Sequence, residues 1–146
     1  MAKKYVFPYQ KIPKYKNFSQ EWRKKPLMPI TLRHNGQTVS YLALVDSGAD
    51  FNIFHADLAE ILGIDLSLIK SKVPFGGIKQ DKTQCVGYLT CIDLGIGQDF
   101  FDNTVVAFSN DISDKGYGVI GQFGFFNYFK VAFDRSNYTF EIEKKK

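Results

Sequence analysis

Residues 43–54 read ALVDSGADFNIF: an apolar run, Ala43-Leu44-Val45, stops at Asp46-Ser47-Gly48, and apolar character returns from Phe51. Asp, Ser and Gly all favour turns, because the first two bond their own backbone and the third accepts any backbone angle. Asp46 is therefore either a turn residue or a carboxylate placed for chemistry at the end of a strand. The flanking sequence decides between these readings and, with them, the fold.

Upstream, PITLRHNGQTVSYLALV carries two extended runs around Asn35-Gly36, the dipeptide best suited to a two-residue hairpin turn. A hairpin is expected here, with Asp46 at the end of its second strand. Downstream, HADLAEILGI places Leu58, Ile61 and Leu62 at helical spacing before Gly63, which predicts a short helix with those three side chains on its buried face. VGYLTCIDL and FFDNTVVAF read as strands on either side of GIGQ, and KVAFD, RSN and YTFEIE as a closing hairpin whose Phe140 and Ile142 alternate with Glu141 and Glu143. Between them, YGVIGQFGFFNYF holds a short apolar run followed by one or two helical turns. Short strands with no βαβ rhythm indicate an all-β, closed, barrel-like domain with one or two short helices.

The chain has 146 residues, 45% of them hydrophobic and 16% aromatic, enough for one domain with a substantial core. Its net charge of +4 belongs to the ends. Residues 1–25 hold eight Lys or Arg against the single acid Glu21, Lys144 to Lys146 close the chain, and residues 26–143 carry 8 basic and 14 acidic side chains. The expected division is a basic N-terminal arm over 1–28, ordered where its aromatics dock, a domain over 29–143 and a basic tail over 144–146. No nucleic-acid motif accompanies the lysines, so binding of nucleic acid or membrane by the arm is not expected. No apolar run suits a bilayer or a secretion signal, so the cytosol is the expected compartment. Cys85 and Cys91 lie six apart on one expected strand, on the same face and too far apart to bond, so reduced thiols are expected.

Several chemistries lack their residues. There is no Gly-x-Ser-x-Gly elbow, and neither cysteine sits in a catalytic motif. His34 and His55 are the only histidines, and with two unpaired cysteines they do not space a zinc site. DSGADFNIFHAD turns apolar where a calcium loop needs oxygen ligands, and no phosphate-cradling glycine loop is present. Neither a metal nor a cofactor is expected. What remains is a carboxylate that faces its copy from a second subunit: two such groups cannot both ionise, so they share a proton and divide the roles of acid and base.

PITLRHNGQTVSYLALVDSGADFNIF resembles the N-terminal part of retropepsins, the retroviral-type aspartic proteases, in a single-domain cellular form. GVIGQFGFFNYFKVAFD is similar to that family's second signature, in which an apolar pair and Gly lead into a short helix and a closing strand. The two motifs stand in the right order, about 70 residues apart. The resemblance spans residues 29–143 and implies the retropepsin fold, a homodimer and an aspartic endopeptidase acting on peptides or proteins. It assigns Asp46 as the catalytic carboxylate, Ser47 as the hydroxyl that bonds across the dimer axis, and Gly48 as the residue whose backbone approaches substrate. It sets Ala49 and Asp50 against the substrate, Phe75, Gly76, Gly77 and Ile78 in a flap over the cleft, and Val119, Ile120 and Gly121 as support for the catalytic loop. One departure stands out: Gln122 occupies the position of an Arg that, in the family, pairs with the residue matching Asp50. That substitution supports an alternative in which the chain holds an extended peptide in its cleft without cutting it. A catalytically silent structural dimer is a third reading.

Overall fold

A computed structural model describes residues 3–12, 24–76, 85–112 and 116–145. The Asn35-Gly36 hairpin forms as expected. β4 (Leu27–His34) pairs antiparallel with β5 (Gln37–Val45), and both turn residues take positive φ, 48° and 82°, so the turn follows the twist of its strands. Before it come β1 (Lys4–Pro8), β2 (Gln10–Lys11) and β3 (Lys24–Lys25). After it come β6 (Ile53–His55), α1 (Ala56–Ile61), β7 (Lys72–Phe75), β8 (Cys85–Ile96), β9 (Asp99–Ser109), β10 (Tyr117–Ile120), β11 (Phe129–Asp134) and β12 (Thr139–Lys144).

Seven strands form one mixed sheet in the order β4-β5-β10-β6-β9-β8-β7. A further pairing of β4 with β8, Thr31 to Arg33 against Gly95 to Asp93, curls the sheet shut. The register shift between Ile92 and Leu94 lies next to this seam, where a bulge bends β8. Closure satisfies backbone groups that an open edge would leave bare and encloses Leu32, Leu94, Ile96, Val106 and Phe108, none of them accessible. The all-β, barrel-like expectation is met.

A second sheet, β1-β12-β11, lies against the same core through Phe140 and Ile142. The alternation expected along β12 is present, although Tyr138 stands outside the strand with φ 53°, capping a 3₁₀ turn at Arg135–Asn137. Of the basic N-terminal stretch, Lys4–Pro8 pairs with β12 from Lys4↔Glu143 to Pro8↔Thr139, and Tyr5, Phe7 and Tyr9 pack on the core. β4 begins at Leu27, and Leu27 and Met28 are fully buried.

Two local expectations need correction, and a third is met in its shorter form. The helix after Phe54 is six residues long, capped by His55, and buries Ala56, Leu58, Ala59 and Leu62, while Ile61 is 54% exposed. At about 100° per residue the buried face centres between Leu58 and Ala59, which turns Ile61 aside. After Gly121 no regular helix forms. Phe126 and Asn127 donate to Gly121 and Gln122, a wide turn, and the Tyr128 and Phe129 N–H groups both donate to the Phe125 carbonyl, which makes one helical turn. Gly124, at φ 109°, interrupts the helical backbone there. Finally, β8 runs on through Gly95 and Ile96, so the turn to β9 is Gly97-Gln98 rather than the whole of GIGQ.

Candidate functional site

β10 lies between two strands that are consecutive in the chain. It runs parallel to β5, with Val119↔Leu44 and Ile120↔Val45, and antiparallel to β6 at Val119↔Ile53. The segment 46–52 must therefore leave the sheet at the end of β5, pass around the end of β10 and re-enter as β6. This brings the two motifs of the sequence together: the Asp46 N–H donates to the Ile120 carbonyl at 3.0 Å, the Gln122 N–H to Ala49 at 2.7 Å and the Phe123 N–H to Asp50 at 2.8 Å. Phe51 and Phe123 form an isolated parallel bridge, their rings edge to face with centroids 6.1 Å apart.

Within the loop the Gly48 N–H donates to Asp46 Oδ1 at 2.9 Å, and the Ala49 N–H to the Asp46 carbonyl at 3.2 Å. Asp46 thus turns the chain in the ordinary way, yet the turn occupies one oxygen only. Among the described residues nothing donates to Oδ2. Asp46 is half-buried and Ser47, Gly48 and Asp50 are exposed, so the loop presents its tip to solvent.

Gly121 is required by space. A Cβ there would overlap the carbonyl oxygens of Ala49 and Phe51, the latter at 2.7 Å. Gln122 takes a role inside the chain, its side-chain Nε2 donating to the Ser47 carbonyl. The Asp50 carboxylate has no donor among the described residues, so the pairing that an Arg at 122 would make is replaced by a clamp on the loop backbone. Phe75 lies on β7 opposite Cys85, half-buried, and Gly76 follows it exposed. No hydrogen bond or ring contact among the described residues joins these two to the Asp46 loop, and Gly77 and Ile78 lie outside the described residues.

Sequence reasoning passed over Asn52. It is fully buried, its Oδ1 accepts from the Gly121 N–H at 3.0 Å and its Nδ2 donates to the Val105 carbonyl at 3.0 Å, while its own carbonyl accepts from Ala107 at 2.7 Å. One amide thus ties the end of the Asp46 loop to β10's exit and to β9. The available signal was a lone Asn between Phe51 and Ile53 in an apolar run, a place where an amide survives only if both its ends are paired.

Among the described residues no cluster of His, Cys, Asp or Glu is arranged to hold a metal ion, and no helix is long and apolar enough to cross a membrane. Cys85 and Cys91 are both free thiols.

No protein-family model matches the chain, and no curated protein matches it. Among solved structures it is similar to the crystal structure of a retropepsin-like aspartic protease from Rickettsia conorii, with a TM-score of 0.60 over 99% of this chain and 94% of that one. Identity is 14%, so the likeness is one of fold: the chain has a retropepsin-like, all-β architecture.

Proposed function

We propose that the chain is an aspartic endopeptidase that works as a symmetric homodimer, with Asp46 and its symmetry mate as the catalytic pair. A single Asp-Ser-Gly occurs in the sequence, so one subunit holds half of a dyad and a two-fold axis must supply the rest. In this reading one carboxylate is ionised and one protonated. The ionised group takes a proton from water, the oxygen attacks the peptide carbonyl, and the protonated group gives its proton to the carbonyl oxygen. Collapse of the tetrahedral species then breaks the C–N bond as the leaving nitrogen is protonated.

The observation that carries the reading is the asymmetry at Asp46. Its loop backbone is tied to Ile120 and Gln122 at both ends, whereas its half-buried carboxylate keeps Oδ2 without a described donor beside the exposed tip. A purely structural turn would need no such scaffold. Ser47, whose hydroxyl has no partner among the described residues, is the group to bond across the axis. Ala49 and Asp50 line the cleft, Phe75 to Ile78 close over substrate, and Val119, Ile120 and Gly121 hold the loop. The cytosol is the working compartment, and the basic residues that precede β4 act as an arm on the domain.

The test is cleavage of an unbiased peptide mixture between pH 4 and 7 by wild type and Asp46→Asn, with molecular mass measured by sedimentation in the same buffers. A dimer that cuts, and stops when Asp46 is changed, supports the reading. A dimer that binds peptides equally well with either residue and never cuts would replace it with a peptide-binding module.

A further inference from the structure

The ribbon β2–β3 sets like charges face to face: Lys11 pairs directly with Lys24, and Gln10 with Lys25. Directly opposed like charges destabilise a strand pair, so the arrangement calls for an anion. The Lys24 Nζ also stands 4.7 Å from the centre of the Tyr138 ring, and the Arg135 guanidinium 4.3 Å from it, which brings a third cation to the face that Lys11 and Lys24 share, while Lys25, one residue on, faces the other way. Among the described residues none of Lys11, Lys24 and Arg135 has an acid within ion-pair distance, although Lys3, Lys4 and Arg33 each find one. Asp134, next to Arg135, gives its carboxylate to Ser136 and Asn137 instead. The remainder of the chain from 26 to 143 carries more acids than bases, so the cluster is a local reversal of sign.

Its position suggests the anion. The Pro26 carbonyl accepts the Val45 N–H at 3.0 Å, so Lys24 and Lys25 directly precede a residue bonded to the one before Asp46. We propose that Lys11, Lys24 and Arg135 form a cationic rim beside the Asp46 loop that binds an acidic stretch of the peptide lying in the cleft. The inference rests on the protease reading for its ligand. A peptide with Glu or Asp to one side of the scissile bond is drawn to the rim and turned away elsewhere by the acidic body, which sets both affinity and direction of binding.

Each exposed ion pair contributes about twofold, so three of them on the rim are worth about tenfold in affinity, and salt removes most of it. The experiment compares two labelled peptides with one apolar core, flanked by four Glu or by four Gln. Binding is read by fluorescence anisotropy on full-length Asp46→Asn, and cleavage on wild type. The Glu peptide is expected to bind about tenfold tighter at low salt. That preference should disappear in Lys11→Gln/Lys24→Gln/Arg135→Gln and shrink in Arg135→Gln alone, an exposed change that leaves the ribbon intact. Equal affinity for the two peptides, or a preference that survives the triple change, overturns the proposal. So does a variant that alters only the dimer dissociation constant, which would give the rim to a second copy, or tighter binding of duplex DNA than of the Glu peptide. Loss of cleavage of both peptides with the binding preference intact sinks the protease reading alone, and cleavage without preference sinks the rim alone.

Discussion

Asp46 and Asn52 divide one loop between a side chain with an open carboxylate oxygen, proposed to be catalytic, and a buried structural one. Asp46 spends Oδ1 on its own turn and leaves Oδ2 open, so Asp46→Asn should leave the fold intact while lowering turnover about 10²- to 10⁴-fold, the usual worth of a positioned acid or base. Turnover unchanged in that variant, by peptide mass analysis, would remove the carboxylate from the mechanism. Asn52 is the reverse case. Its amide satisfies the buried Gly121 N–H and Val105 carbonyl, and Asn52→Ala strands both, at about 1–3 kcal/mol each. Its urea midpoint should fall by an amount equivalent to about 2–5 kcal/mol; a loss below about 1 kcal/mol would mean that the tie is not needed.

Among the elements, β1 is held by chemistry that depends on pH. The Tyr5 hydroxyl donates to Asp99, at the start of β9, and the Lys3 Nζ lies 2.6 Å from the same carboxylate. Burial first, and then that hydrogen bond, pushes the Tyr5 hydroxyl up to about 12 from 10.0. The bonds from Lys3 and then Tyr5 hold Asp99 below its usual value of 3.8. A raised pKa stabilises below the unfolded value and is lost as pH rises through the folded one, whereas a lowered pKa stabilises above the unfolded value and is lost as pH falls. β1 should therefore stay docked from about pH 4 to 10 and loosen outside that window. Cross-strand NMR contacts between β1 and β12 report it, and Tyr5→Phe should remove the alkaline transition while leaving the acid one. β10 sets a different constraint. Because Gly121 leaves no room beside the Ala49 and Phe51 carbonyls, Gly121→Ala should cost about 1–3 kcal/mol in thermal or urea unfolding and distort the Asp46 loop.

For the whole molecule, the proposed chemistry cannot occur within one 16.7 kDa chain. Specific activity should fall as the protein is diluted through its dimer dissociation range, in step with the loss of a species of twice that mass in sedimentation. Activity independent of concentration in a solution of monomers would refute a dyad shared between subunits. The retropepsin-like fold, with its barrel closed by β4 against β8 and a second sheet beside it, holds the Asp46 loop by its backbone at both ends.

Local patterns determined a good part of this protein. Asn35-Gly36 set the hairpin, the alternation around Phe140 and Ile142 set β12, and the two glycine-bearing motifs marked the residues that meet at Asp46, because turns and period-two burial depend on neighbours in the chain. Only the tertiary structure decided the rest. The face of α1, the clamp made by Gln122, the pairing of Asn52 and the docking of β1 all depend on atoms that are tens of residues away in sequence. Such contacts leave no periodic trace, since what selects the residue is the one unpaired donor, acceptor or cavity that the folded chain presents to it.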